Sequence, residues 1–253
     1  MNIIVCAKQV VDISEMKLDS STKKPILQGV PQKISDIDKN AMEEAIKIKE
    51  KNGGKITVLT VGPTDAKERI KELLAMGADE GVLVNPPDNP DYHVVSSLLA
   101  GAIKKIGEYD LVLCGEASTD MFSGQIGPRL AGLLNIPQVT YAQSLNAEKE
   151  KITAERNMGD KLVSEESTYP VLVSVTKEIN EPRLPSLMQI LGAANKPINE
   201  MTAESIESGV KPVVDTIELK GIPMERKNII YKDDLDESVT KLVDSLAKEG
   251  VLR

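Results

Sequence analysis

Aromatic side chains are nearly missing: the 253 residues include one phenylalanine, Phe122, and no tryptophan. A surface that stacks the bases of single-stranded nucleic acid needs several aromatic platforms. The net charge of −8 argues equally against a partner met through its phosphate backbone. Histidine is limited to His93, which leaves no material for a His-based triad or a multi-histidine metal centre. The two cysteines, Cys6 and Cys114, are too few for a disulfide framework or a zinc site of their own. No run of 18 or more apolar residues occurs, so no membrane span is expected. No basic leader or cleavage site precedes the first strand pattern, and the expected location is the cytoplasm of a bacterium or archaeon. No metal and no catalytic residue is expected. What is there is a 41% apolar chain, nearly all aliphatic, long enough for one α/β domain with a sizeable core.

The first half alternates two periodicities. Asn2–Ala7 (NIIVCA) is a short apolar run, as in a strand buried on both faces. Gly29-Val30-Pro31 reads as a turn, and Lys39–Asn52 as a helix closed by Gly53-Gly54. A strand over Lys55–Val61 stops at Gly62-Pro63, and a helix over Asp65–Met76 stops at Gly77. A strand at Gly81–Val84, a helix over Asp91–Ile106 and a strand at Leu111–Cys114 follow. A loop then leads to a helix near Pro128–Leu134 and a fifth strand at Gln138–Tyr141. The fold class predicted is therefore α/β, a Rossmann-like parallel sheet of order 3-2-1-4-5 covered by helices.

From about residue 144 the texture changes. Ser144–Arg156, Lys161–Ser167 and Val171–Val175 follow one another with no helix between them, which predicts antiparallel additions to the sheet. Residues 180–232 read as irregular, punctuated by Pro182, Pro185, Pro197, Pro212 and Pro223, before an amphipathic helix over Leu235–Glu249. So long an irregular stretch is unusual inside a compact domain and reads as an arm lying on a partner. The division expected is residues 1–180 as a nucleotide-binding domain and 181–253 as a docking loop and C-terminal arm.

The segment Cys114-Gly115 through Asp120-Met121-Phe122-Ser123-Gly124-Gln125-Ile126-Gly127 to Pro128-Arg129 runs from a strand end into a helix start. Free N–H groups at a helix start favour an anion, and glycine lets backbone approach a ligand. Its spacing matches neither the dinucleotide fingerprint nor a P-loop. By itself it fits a nucleotide loop or a long capped loop with no ligand. In open α/β sheets ligands bind where strand order reverses, so the ends of the first and fourth strands, Cys6-Ala7-Lys8 and Cys114-Gly115, should face one cleft. Cys6 and Cys114 themselves read as small buried residues on neighbouring strands, reduced. A second segment, Asn180-Glu181-Pro182-Arg183-Leu184-Pro185-Ser186-Leu187-Met188, holds leucines outside a strong helix pattern. They belong either to the domain's own core or to an apolar anchor for a protein partner.

In combination these segments resemble the electron-transfer flavoprotein β subunit over nearly the whole chain. The similar stretches are Lys8-Gln9-Val10, Gly29-Val30, Asp38-Lys39-Asn40-Ala41-Met42-Glu43-Glu44-Ala45, Val61-Gly62-Pro63, Leu74–Asp79, the loop Asp120–Gly127, and Asn180-Glu181-Pro182-Arg183 followed by Leu187. The resemblance implies a fold related to adenine-nucleotide hydrolase and universal-stress domains. It implies a heterodimer with an α subunit that carries an FAD, and a nucleotide in β: AMP in most members, a second FAD in electron-bifurcating ones. By position, Cys6, Ala7, Ser35, Val61 and Asp120, Met121, Phe122, Ser123, Gly124, Gln125, Ile126, Gly127 and Ala131 should line that nucleotide. Arg183, Leu184, Leu187 and Met188 should dock onto an acyl-CoA dehydrogenase-like flavoprotein. NADH is implied as donor for the bifurcating type. Departures are Ser35 where relatives have asparagine, the bulky Met121-Phe122, and Asp91-Tyr92-His93-Val94-Val95-Ser96-Ser97 in place of a threonine-rich helix start. Asp38-Lys39-Asn40-Ala41 is closer to the bifurcating group. An adenylating enzyme on the related fold would need a Ser-Gly-Gly-type loop where Lys8-Gln9-Val10-Val11-Asp12 stands. A stand-alone stress-type module would leave the segment after residue 180 without a purpose.

Overall fold

A computed structural model describes residues 1–206, 210–222 and 227–252. The chain opens with β1 (Asn2–Cys6), followed by the short β2 (Gln9–Val11), β3 (Lys17–Leu18), β4 (Pro25–Ile26) and β5 (Gln32–Ile34). β2 pairs with β5 and β3 with β4, both antiparallel, in place of the loop expected there. The alternation follows as α1 (Asp36–Asn52), β6 (Lys55–Val61), α2 (Lys67–Met76), β7 (Glu80–Asn85), α3 (Tyr92–Ile106), β8 (Leu111–Gly115), α4 (Ile126–Leu134) and β9 (Gln138–Ala147). The rest comprises β10 (Lys151–Asn157), β11 (Leu162–Thr168), β12 (Val171–Val175), α5 (Leu187–Ala193), β13 (Ile198–Thr202), α6 (Ala203–Ile206) and α7 (Leu235–Lys248).

Nine strands form one sheet in the order β11-β10-β9-β12-β8-β1-β6-β7-β13. The α/β class and the parallel core are as expected, and the relative order 3-2-1-4-5 survives as β7-β6-β1-β8-β9. It is interrupted once. Val171–Val175 is no antiparallel addition: β12 lies between β8 and β9 and is parallel to both. All five of its residues are buried, the pattern of a central strand covered on two faces. Only β10 and β11 extend the sheet antiparallel, and β11 alternates exposed and half-buried positions as an edge does. The stretch expected to be irregular is structured as far as Ile206. Pro185 precedes α5, and β13 closes the other edge, parallel to β7. Pro223 lies outside the described residues.

Side chains alternate across each strand, so β1 feeds two cores. Ile3 and Val5 pack with α1 and α2, while Ile4 and Cys6 pack with α3 and α4. Aliphatic side chains fill both layers, as the composition requires. Cys6 and Cys114 are register partners on β1 and β8 and are free thiols, and burial pushes both thiols up, Cys6 to about 12. Neither is then a ready nucleophile. The described part of 210–252 is mostly exposed. The α7 helix presents Leu235, Val239, Leu242 and Val243 on an uncovered side. No helix among the described residues is long and apolar enough to cross a membrane.

Candidate functional site

The carboxyl ends of β8, β1, β6 and β7 border one cleft of about 510 Å³, within the range of small-molecule sites. The position follows from topology: at β1 and β8 the strand order reverses, and the loops leaving the two strands part. Of the residues that the resemblance placed at a nucleotide, Cys6, Ala7, Val61, Asp120, Met121, Ser123, Gly124, Gln125 and Ile126 line this cleft. Four expected residues are not on its wall. Ser35 is fully buried and supports the loop from behind, its Oγ accepting the Thr119 N–H at 3.3 Å. Phe122 is 67% exposed with φ +46°, pointing away where the loop turns. Ala131 is buried under α4 in the helix-side core. Gly127 is buried, and a β-carbon there would meet Cys114 Sγ at 3.3 Å and Leu172 and Ser174 at 3.6 Å. Its missing side chain lets α4 lie against β8 and β12 and does not serve approach to a ligand. Gly124, at φ +64°, is the glycine that the loop's turn needs.

One carboxylate holds the two sides of the cleft mouth. Asp38, in the first turn of α1, accepts the N–H of Lys8 at 2.9 Å through Oδ2 and that of Gly115 at 3.0 Å through Oδ1. These are the first residues to diverge at the ends of β1 and β8. A β-carbon on Gly115 would stand 2.6 Å from Asp38 Oδ1, so the glycine is the socket for the carboxylate. Burial pushes Asp38 up to about 7 against the two N–H bonds that favour its charged form. The sequence marked Asp38 only as part of a family-like stretch, since its partners lie 30 and 77 residues away.

The cleft is not basic. Among the described residues Lys8 is the one cation on its wall, and its Nζ is committed to Asp120 at 2.7 and 2.9 Å. Burial works to raise Asp120, but Lys8 and Ser118 outweigh it and hold the carboxyl below its usual range. An anion must therefore be held by backbone. Two helices start at the cleft and differ. The Asp91 side chain caps α3, accepting from the Val94 N–H at 2.9 Å. The start of α4 has no side-chain cap. Among the described residues, the N–H groups of Ser123, Gly124, Gln125 and Ile126 have no protein acceptor, whereas those of Thr119, Met121 and Phe122 do. The uncapped amides and the positive end of α4 converge where a phosphate would bind. That arrangement fits the phosphate end of an adenine nucleotide. No cluster of metal-ligating side chains occurs among the described residues.

Other wall residues were not named from the sequence as lining the site, although Asp91, Tyr92 and Val95 fall in the stretch that departs from the family pattern. Pro86, Pro90, Asp91, Tyr92, Val95 and Leu99 extend the cleft past β7, and Val214 and Thr216 reach it from the arm. The rule that ligands sit at strand ends would have pointed to the first group. Nothing local marks the second.

The apolar segment lies elsewhere. Leu187 and Met188 do not sit on a loop. They begin α5, which Ser186 and Gln189 close with reciprocal cap bonds. Leu184, Leu187, Met188, Ile190 and Leu191 are all exposed, which removes the alternative that they are core. Arg183 is not a free docking side chain. It grips Glu43 with bonds of 2.9 and 3.0 Å and reaches Glu50 at 2.5 Å, clamping the approach to α5 onto α1. Asn40 and Asn180 are bonded reciprocally beside it, at 2.7 and 3.0 Å.

Gly127→Val should lift α4 off β8 and displace its amides. Overpacking of about 1–3 kcal/mol is expected as a lower melting temperature. Heat unfolding of the purified variant measures this, and an unchanged melting temperature would show that α4 does not pack against β8 through Gly127.

Comparison with known proteins agrees with this geometry. The profile of the family described as electron transfer flavoprotein domain matches residues 26–206. The electron transfer flavoprotein subunit beta of Thermoanaerobacterium thermosaccharolyticum is 40% identical, with 100% of each chain covered. A subunit of the caffeyl-CoA reductase–Etf complex of Acetobacterium woodii is 39% identical over 84% of this chain and 81% of its own. The acryloyl-CoA reductase electron transfer subunit gamma of Anaerotignum propionicum is 30% identical, with 100% of both covered.

Proposed function

The chain belongs to the electron transfer flavoprotein family, among its β subunits, and serves electron transfer; from that premise we propose that its cleft holds an adenine nucleotide and that it works as half of a heterodimer. The observation that carries this is the set of uncapped amides from Ser123 to Ile126, on the wall of a cleft whose one cation among the described residues is already paired. The nucleotide's phosphate lies on these amides and the start of α4. Cys6, Ala7 and Val61 give it an apolar bed, and Asp38 keeps the two sides of the mouth at fixed spacing. Residues 1–180 carry most of the nucleotide site, Val214 and Thr216 add to its wall, and the rest of 181–253 faces partners: an α subunit with its own FAD, and an acyl-CoA dehydrogenase-like flavoprotein at α5. The free thiols fit a reducing compartment, the cytoplasm.

The extension of the cleft past β7 to Pro90, Tyr92 and Val95 fits a dinucleotide such as FAD better than AMP alone. The similarity to subunits named for caffeyl-CoA and acryloyl-CoA reductases supports the same choice. When bound, a flavin supplies reversible one- and two-electron chemistry. The residues of this chain bind it, orient it and exclude water. With FAD in β, the complex would take electrons from NADH and divide the pair between two acceptors. The test is coexpression with the α subunit, denaturation of the purified heterodimer, and chromatography of what is released. Two flavins per heterodimer are expected. One flavin and one AMP would restrict the protein to simple electron carriage, and no nucleotide beyond the α flavin would overturn the assignment of the cleft.

A further inference from the structure

Asp91 does more than cap α3. Its Oδ1 accepts the Val94 N–H at 2.9 Å, and its Oδ2 accepts two more N–H groups, from Val213 at 2.7 Å and Val214 at 3.0 Å. Those donors belong to the arm, 122 and 123 residues further along the chain. Partial desolvation works to raise Asp91, but the surrounding N–H groups outweigh it and hold the carboxyl below its usual range. It therefore stays charged and keeps accepting at neutral pH. Just upstream, Val210 packs against the core beneath α3. Beyond it Val213, Val214, Ile217 and Leu219 are exposed, and the next backbone tether among the described residues is the Gly221 N–H on the Lys23 carbonyl at 2.9 Å. Between these two ties the chain passes along the cleft, where Val214 and Thr216 form wall together with Asp91, Tyr92 and Val95.

We propose that Asp91 is a positioning residue of the nucleotide cleft: by gripping the N–H groups of Val213 and Val214 it holds residues 213–216 in place as a wall of the site, and the ligand leaves when that grip opens. This rests on the cleft holding an adenine nucleotide. The strap ties the arm to retention of the nucleotide, so anything that pulls the arm away from α3 speeds release.

Asp91→Ser separates the two duties of the side chain. Serine is a good helix cap, so Val94 keeps an acceptor, but the second oxygen that holds the arm is gone. The heterodimer of full-length chains is compared with its variant in two measurements. Hydrogen exchange is followed at the amides of Val94, Val213 and Val214, and loss of bound nucleotide is followed during competition with labelled adenine nucleotide. Exchange at Val213 and Val214 is expected to rise about tenfold, and nucleotide loss to accelerate by a similar factor, as for loss of a charge-assisted hydrogen bond. The Val94 amide should keep its protection. Faster exchange with unchanged nucleotide loss would show that the strap is no wall. Unchanged exchange would show that Asp91 does not hold it. If the wild-type complex releases no adenine nucleotide from β, the cleft assignment falls and this inference with it, whatever the amides do.

Discussion

Asp38→Ala is expected to lower the melting temperature by roughly 10 °C and to abolish tight nucleotide binding. The carboxylate satisfies the N–H groups of Lys8 and Gly115 at the buried ends of β1 and β8. Alanine leaves both donors without an acceptor, and each buried unsatisfied group costs about 1–3 kcal/mol. The two strand ends would then spread, and the cleft they frame would lose its shape. Asp38→Asn keeps one acceptor oxygen but turns an NH₂ group toward the other donor, so an intermediate loss is expected. Heat unfolding of both variants, alongside nucleotide binding, measures the effect. A shift of under 2 °C for the alanine variant would mean that the mouth is held by the strands alone.

The same residue predicts a pH dependence with a definite sign. Burial is the larger influence on Asp38 and raises it from 3.8 to about 7. The folded chain therefore binds the proton more tightly than the unfolded chain does. Stability from this group is fully present below about pH 4 and is lost as pH rises towards 7, by up to about 1.4 kcal/mol per pH unit. Asp38→Asn lacks that slope. Wild type should lose stability relative to the asparagine variant between pH 4 and 7 and run parallel to it above 7. Lys8, Asp120 and Cys6 stand around the group and are unchanged in the comparison, so the difference isolates Asp38. The opposite slope would show that the two N–H bonds outweigh burial.

Leu187→Ala is expected to weaken docking of an acyl-CoA dehydrogenase-like flavoprotein by roughly ten- to hundredfold, as for truncation of an apolar anchor. Nucleotide content and pairing with the α subunit should not change. Leu184, Leu187 and Met188 are 92%, 71% and 78% exposed, an apolar group that none of the described residues covers. They stand on a braced support, for Ser186 and Gln189 lock the first turn of α5 and Arg183 fixes the preceding chain to Glu43 and Glu50. Bracing lowers the entropy lost on docking, so a few contacts suffice for a transient complex. Flavin reduction by the partner at several concentrations gives the affinity. Because the side chain is exposed, the melting temperature should move by no more than about 0.5 kcal/mol implies. Equal partner affinity in wild type and variant would take α5 out of the docking surface.

The strand–helix alternation through β9 was legible because its determinants are local. Residues NIIVCA and KITVLTV are apolar runs too short for helices, and Gly53-Gly54, Gly62-Pro63 and Gly77 end their elements where backbone conformation demands it. The same locality misled after residue 144. VLVSV follows two solvent-edged strands in sequence, yet it enters the sheet between β8 and β9. Its unbroken apolar run was the available signal, outweighed by the absence of an intervening helix. In α5, two prolines hid a capped helix of about two turns. In β13, Ile198–Thr202 has too few apolar residues to announce a strand, and pairing with β7 supplies what the pattern lacks.

By itself the sequence determined the α/β class, the aliphatic core and the family resemblance, and it offered the loop from Asp120 to Gly127 as either a nucleotide loop or a capped loop with no ligand. Each of these depends on residues close together in the chain. Only the tertiary structure decided what holds that place in shape. Asp38 meets Gly115 across 77 residues, Arg183 meets Glu43 across 140, and Asp91 meets Val213 across 122. Gly127 proved to be a packing residue because β12, inserted from beyond residue 170, lies beneath it. A carboxylate's partners are chosen by where the chain returns, and that return is set by the burial of whole strands and helices against one another, a property of the assembled layers that no local pattern carries.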